Sequence, residues 1–343
     1  MALYKWRPLN VRCEALNERK GSTVKVLAKA GRDDIATVYL AETERGRRIE
    51  FVESVQPPIP RGKKWVLLLS TLYGCPGGCR FCDAGTFYKG KLSREEILSQ
   101  VDFLVDWRFP DRRIPVEKFK VQFARVGEPA FNPAVLDVLE ELPSRYDAPG
   151  LMPAVSTVAP LGAGDFFERL LGIKRRIYGG RFQLQFSVHT TDPARRDWLM
   201  PLAKWDLDEI AAYGKRWFEA GDRKVTLNFA LAEGMPVDPG ELLGRFSPET
   251  FLVKITPVNP TFHARRSCIE SQVVPGGPEG DTARALRAAG YETIVSIGEP
   301  EESLIGSNCG QYLAASLAAG EPIAGGYTYE MQALGGSRHR DYR

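Results

Sequence analysis

The chain has 343 residues, 43% hydrophobic and 26% charged, with 46 Lys and Arg against 43 Asp and Glu. That length admits one large α/β domain or two smaller ones, and the composition excludes a disordered, collagen-like or disulfide-framework chain. A formal charge of +3 is too small to announce a nucleic-acid binder.

In chain order, the N-terminus MALYKWRPLNVRCEALNERK lacks the pattern of a secretory signal, so a cytoplasmic location is expected. Residues 22–55 alternate apolar and polar side chains in three runs, 23–27, 35–41 and 48–55, which predict a small β-meander. PPIPRGKK at 57–64 reads as a hinge, making 1–64 a small N-terminal lobe. From Trp65 strand-like runs alternate with helical patterns: 66–70 then 94–107, 118–124 then 133–142, 153–157 then 164–171, and 182–189 then 207–220. The alternation continues with 225–231 then 239–246, 251–258 then 281–290, and 293–297 then 303–318. No run approaches the roughly 18 apolar residues of a membrane span, so no membrane partner is expected. Such βα repetition demands parallel strands with right-handed crossovers, hence a full or partial α/β barrel whose catalytic groups sit at the C-terminal strand ends. A doubly wound open sheet is the alternative. Residues 65–320 form this core and 321–343 a C-terminal tail, polar and frayed from Gly335.

Six cysteines are too few for a secreted scaffold, and three of them fall within eight positions. TLYGCPGGCRFCDAG follows the first core strand and places Cys75, Cys79 and Cys82 at C-x3-C-x2-C spacing. Three thiolates on a glycine-rich loop can hold three irons of a [4Fe–4S] cube and leave the fourth open to a ligand. Pro76, Gly77 and Gly78 let the backbone curl and offer amide donors near the sulfurs, while Phe81 can shield the cluster. A structural zinc is the alternative, but it wants a fourth ligand, which Cys268 or His263 would have to supply from afar.

This spacing after the first strand of an α/β barrel, with an aromatic before the third cysteine, resembles the signature of radical SAM enzymes. The resemblance implies a partial (β/α)6-type radical SAM barrel with a small N-terminal β-meander. It also implies that the open iron chelates the amino and carboxylate groups of S-adenosylmethionine (SAM). One electron, from a reduced flavodoxin- or ferredoxin-type donor, then cleaves SAM to methionine and a 5′-deoxyadenosyl radical.

Further motifs resemble the RlmN/Cfr-type branch of 23S rRNA adenine methyltransferases, in order from about residue 22 to 315. RVGEPAFN carries Gly127, Glu128 and Pro129 in the place of a GEP motif, where Glu128 would bond the ammonium of SAM; a plain strand-end turn is the alternative. Ser156-Thr157 matches an ST-S-G segment that meets the cofactor, with Val158 in place of its second serine, so that Ser156 would bond ribose or carboxylate oxygens of SAM. FSVH matches SLH, so that Ser187 would bond ribose or carboxylate oxygens and His189 would either join the site or remain a satisfied rim residue. TPVNP matches WNP and offers Asn259 as donor and acceptor, or as an ordinary Asn-Pro turn. SLIGSNCGQYL resembles ACGQL, which makes Cys309 a candidate methyl carrier in place of a buried small hydrophobe. In the branch that cysteine is methylated by one SAM, loses hydrogen to the radical from a second, and adds its carbon to an sp2 centre.

Two departures matter. The branch carries a cysteine seven residues before the first cluster cysteine that helps resolve the enzyme–RNA adduct, and this chain has Leu68 there; Cys268 is a possible substitute. The helical RNA-binding domain expected before the meander has only about twenty residues in its place, and the Arg pairs at 112–113, 175–176, 195–196 and 265–266 are either phosphate contacts or solvated surface. The expectation is a radical SAM methyltransferase using Cys309 on an unidentified substrate, RNA or small molecule. The alternatives are direct use of the deoxyadenosyl radical, or a non-catalytic RNA-binding or scaffold protein with a structural metal loop.

Overall fold

The computed structural model describes residues 16–18, 22–273, 280–308, 312 and 326–334. Alternating apolar residues build β1 (Val24–Arg32), β2 (Ala36–Thr43) and β3 (Arg48–Ser54) as an antiparallel meander. β4 (Lys64–Leu69) pairs antiparallel with β3, Val52 facing Leu68, so 57–64 connects two neighbouring strands of one sheet. β5 (Leu72–Gly74) and β6 (Tyr88–Lys91) then pair across the cysteine loop.

The βα units follow: α1 (Arg94–Arg108), β7 (Lys118–Phe123), α2 (Ala134–Arg145), β8 (Leu151–Thr157), α3 (Gly164–Ile173), β9 (Gln183–Ser187), α4 (Pro193–Leu199), α5 (Leu207–Trp217) and β10 (Val225–Leu231). The rest are α6 (Pro239–Leu243), β11 (Phe251–Pro257), α7 (Phe262–Arg266), α8 (Asp281–Ala288), β12 (Thr293–Val295), α9 (Pro300–Ile305) and β13 (Gln332–Ala333). Helix starts carry their own signals. Ser93 Oγ accepts from Glu96 N at 3.1 Å while Glu96 Oε2 accepts from Ser93 N at 2.8 Å, a capping box that starts α1.

Strand order is β12-β11-β10-β9-β8-β7-β4-β3-β2-β1-β13, and the seven strands from β12 to β4 are all parallel. Chain neighbours are sheet neighbours with no reversal, which excludes the doubly wound alternative. The end strands β4 and β12 do not pair with each other, yet residues of both line the same cavity. The parallel part therefore wraps as a partial barrel, six longer strands and a three-residue seventh, and the meander extends it from β4. Aromatics fill the layer beneath the helices, with Trp65 stacked on Phe119 at 5.0 Å. No helix among the described residues is long and apolar enough to cross a membrane.

The short pair β5–β6, α4 and α7 are absent from the sequence-based expectation. Within the expected tail, Gln332 and Ala333 add a strand to β1. The expected helix 303–318 is described only as α9, which starts earlier, and most of its remainder lies outside the described residues, as does the tail from Gly335.

One buried ion pair ties the meander to the barrel rim. Glu50 of β3 meets Arg125, just past β7, at 2.7 Å with both side chains fully buried. Arg125 also donates to the carbonyls of Gly306 at 2.9 Å and Ser307 at 2.8 Å. Removing one member of such a pair leaves a buried charge uncompensated. Glu50→Ala is expected to cost about 3–5 kcal/mol, read as a lower urea midpoint, while a loss below about 1 kcal/mol would show that Arg125 does not depend on it.

Candidate functional site

The C-terminal ends of the parallel strands open into a cavity of about 560 Å³. Its wall includes Cys75, Cys79, Cys82, Gly127, Glu128, Ser156, Ser187, His189 and Asn259, so the nine expected site residues other than the two catalytic candidates share one cavity. Leu68 lines it too, so the position of the branch's missing cysteine faces the site with an apolar side chain. Cys309 lies outside the described residues, although Ser307 and Asn308 line the cavity. Cys268 is exposed, has φ 51° just past α7, and is not among the cavity residues.

The cysteine loop is closed at its base by Cys75 N donating to Phe87 O at 3.1 Å. Gly74 has φ +78°, and a Cβ there would lie 1.5 Å from Phe87 O, so only glycine allows that closure. The three thiols are free. Gly77 lies between two of them, since a Cβ on it would meet Cys75 Sγ at 3.4 Å and Cys79 Sγ at 3.8 Å. Burial pushes the Cys75 thiol up against the pull of backbone N–H groups of Gly77 and Glu128, and burial with the neighbouring Cys75 pushes Cys79 up to about 12. Thiols in this state give up their protons to a soft cation and not to water. Among the described residues no three His, Cys, Asp or Glu side chains converge on a single-ion site. The distant zinc ligands considered from sequence, His263 and Cys268, do not line the cavity.

A second set of contacts bolts the loop to the far side of the barrel. Asp83, fully buried beside Cys82, accepts from Phe262 N at 3.2 Å and His263 N at 2.9 Å, meets His263 Nδ1 at 2.9 Å, and accepts from the Tyr327 hydroxyl at 3.1 Å. Thr261 caps α7 by accepting from Ala264 N and donates its hydroxyl to Phe81 O at 2.9 Å. The segment following Asn259 is thereby locked to the cysteine loop. Sequence reasoning missed Asp83 and Thr261; the only local trace is an acid directly after the third cysteine, and its partners lie about 180 residues away.

Glu128 sits at the end of β7, where Gly127 at φ +101° would place a Cβ 2.5 Å from Leu72. Its Oε1 accepts from Ala130 N at 3.0 Å and Thr157 Oγ1 at 2.5 Å, and its Oε2 from Val158 N at 2.9 Å. Burial raises its pKa to about 7 against these three donors. Val158 thus serves through its backbone, where the branch's side chain is missing. Ser156 Oγ accepts from Gln122 Nε2 at 3.3 Å, which leaves its O–H to donate.

His189 is buried with φ 66°, and its Nδ1 accepts from Ala230 N at 2.9 Å. That bond sets the neutral Nε2–H tautomer, and burial together with Arg196 lowers its pKa to about 3. It is therefore a fixed hydrogen-bond donor on the cavity wall and no proton shuttle near neutral pH. Phe81 packs edge-on against its ring at 4.9 Å.

Two of the four Arg pairs noted from sequence, 112–113 and 175–176, are neutralised. Arg112 meets Asp106 at 3.0 Å, Arg113 meets Asp147 at 3.4 Å, Arg175 meets Glu219 at 2.6 Å, and Arg176 pairs with Glu140. Arg196 is buried.

The raised Glu128 pKa has a sign that can be measured. A carboxyl titrating near 4.5 when unfolded and near 7 when folded adds stability below pH 4.5 and loses that contribution as pH climbs through about 7. Urea midpoints of the metal-free chain are expected to fall between pH 5 and 8, and Glu128→Gln is expected to flatten that fall; an unchanged slope would refute the assignment.

No protein-family model matches the chain. A protein from Synechococcus sp. strain CC9311 described as a probable dual-specificity RNA methyltransferase RlmN is 28% identical over 237 residues, covering 66% of this chain and 64% of the relative. A protein of the same description from Porphyromonas gingivalis W83 is 32% identical over 207 residues, covering 58% and 53%. The chain thus spans less than two thirds of the length of these relatives. The crystal structure of a radical SAM methyltransferase from Sphaerobacter thermophilus superposes with a TM-score of 0.66 at 21% identity, covering 89% of this chain and 85% of that one, and so shares its fold. In sequence the chain is thus similar to proteins described as probable RNA methyltransferases RlmN, and in fold to a radical SAM methyltransferase.

Proposed function

We propose that the protein is a radical SAM enzyme, and that it transfers a one-carbon unit through Cys309 to an sp2 carbon of its substrate. The observation that carries this reading is the shared cavity: three half-buried thiols, one buried carboxylate and four polar side chains from five strand ends face the same space. Three sulfurs that share a wall without converging on one point suit a polynuclear iron–sulfur group better than a single zinc ion. Cys75, Cys79 and Cys82 would hold that group, and SAM bound beside it would supply a 5′-deoxyadenosyl radical by one-electron cleavage.

The chain's own part is to bind, orient and keep dry. The thiols release their protons on metal binding, which makes loading less favourable as pH falls. Glu128, poised near pH 7 by burial, becomes the carboxylate once an ammonium group comes within hydrogen-bond reach, because an opposite charge favours its ionised form. The Ser156 hydroxyl and His189 Nε2–H donate, Ser187 and Asn259 both donate and accept, and Phe81 covers the edge of the site against water. A reduced flavodoxin- or ferredoxin-type protein in the cytoplasm would provide the electron.

A second reading uses the radical directly on the substrate. Leu68 in the cavity wall favours it, because the thiol that resolves the adduct in the branch is absent from this position and no cysteine other than the three cluster candidates lines the cavity among the described residues. Neutralisation of the two Arg pairs at 112–113 and 175–176 favours a small substrate over RNA in both readings.

Anaerobic reconstitution with iron and sulfide is expected to load about four irons per chain and to yield 5′-deoxyadenosine from SAM and dithionite. Cys79→Ala should lose both. Peptide mass spectrometry then separates the readings: a methyl group on Cys309 supports transfer, and deoxyadenosine without it leaves direct radical chemistry. No deoxyadenosine from a fully loaded cluster would overturn the proposal.

A further inference from the structure

Below the residues assigned to the cofactor, the barrel interior carries charge that the proposed chemistry does not use. Strand alternation turns Lys120 and Gln122 of β7, Gln185 of β9, Asn228 of β10 and Lys254 of β11 into the cavity. Lys120 lies four residues before Ala124, which also lines the cavity just past the C-terminal end of β7, so its Cα is about 13 Å away along the strand at 3.3 Å per residue, or about 10 Å deeper for a strand tilted by roughly 40°.

Lys120 has no hydrogen bond or ion pair among the described residues. The largest charge effects on it come from Lys254, Lys118, Lys64 and Arg223, all positive, and with burial they hold its amine well below the ordinary lysine range. Two carboxylates on the same cavity wall, Glu299 and Glu302, are not among the groups that act most strongly on Lys120; Glu302 acts on Lys254 and Lys64. Asn228 presents a second unsatisfied group, since its Oδ1 is buried without a hydrogen-bond partner. A half-buried amine and a buried amide oxygen left unpaired in a cavity are costly unless a ligand completes them.

We propose that the barrel floor at Lys120 binds the anionic end of a small-molecule substrate, a terminal carboxylate or phosphate, with Lys254 adding charge and the amides of Gln122, Gln185 and Asn228 adding hydrogen bonds. The proposal rests on the radical SAM reading for what happens at the other end: a substrate anchored at the floor presents its far carbon to the rim. A terminal anion fits this depth, whereas an internal phosphodiester cannot descend about 10 Å into a cavity of 560 Å³. The amide of Asn228 would turn its NH2 toward the ligand, a reorientation open to any side-chain amide.

The test uses the reconstituted full chain with saturating SAM, titrated by calorimetry with inorganic phosphate and, separately, succinate, at ionic strength matched with sodium chloride. One of the two anions is expected to bind saturably at one per chain, and the tighter one tells phosphate from carboxylate. Lys120→Met should weaken that binding at least about tenfold, and Lys120→Arg should keep it, as loss of a charge-assisted bond requires. The same anion should slow reductive methylation of Lys120 by formaldehyde in the unaltered protein, which answers the question even where a variant fails to fold. The proposal is overturned when neither anion saturates, when Lys120→Met binds as tightly, or when the anion displaces SAM one for one. Deoxyadenosine formation is scored on the same preparation: anion binding without it leaves the floor site standing and refutes the radical SAM reading instead.

Discussion

A β-strand sends successive side chains to opposite faces, and which residues that alternation turns inward decides everything else in this protein. In most small α/β barrels the interior is filled with branched apolar side chains and is a packed core. Here β7 reads KFKVQF and β9 reads QLQFS, so the apolar half packs under the helices while lysines and amides line a cavity. The sheet leaves β4 and β12 unpaired with each other, and the interior has room for ligands. Ionisable groups in such a cavity are desolvated, which is why Glu128, Lys120, Cys75 and Cys79 all shift toward their neutral forms. The same desolvation that costs folding energy prepares the site for charged ligands.

The rim is held by contacts between segments far apart in the chain. Asp83 and Thr261 fasten the cysteine loop to the start of α7, and Arg125 fastens the turn at Gly306 and Ser307 to β3 through Glu50. These clamps meet at Tyr327, which donates to Asp83 and lies against Gly306. On the same cavity wall Glu128 has three hydrogen bonds and His189 has its tautomer set by a backbone amide. The geometry that would orient a cofactor is therefore built into the protein before any ligand arrives, which is what pre-organisation requires.

The barrel was legible because strand and helix periods alternate with turn residues between them, and the order of seven strand-like runs translates directly into neighbours in the sheet. The lining of the cavity was legible where residues cluster at strand ends: Cys75, Cys79 and Cys82 by spacing, and Glu128, Ser156, Ser187, His189 and Asn259 by their places in short motifs. What escaped were effects of tertiary contact. The two residues of β13 carry no strand signal of their own and pair only because β1 offers an edge. Asp83 and Arg125 look like ordinary surface charges until the fold buries them. The polar floor was hidden because the lysines of β7 and β11 carry no local sign of facing inward, and only the wrapped sheet turns them toward one shared cavity.

The most direct test of the account is the electron paramagnetic resonance spectrum of the reconstituted, dithionite-reduced protein before and after SAM is added. A cube with one iron open to SAM predicts a [4Fe–4S] signal whose g values shift on SAM addition, and that shift should vanish in Glu128→Ala. A cluster signal indifferent to SAM, or a protein that takes up one zinc and no iron under the same conditions, would contradict it.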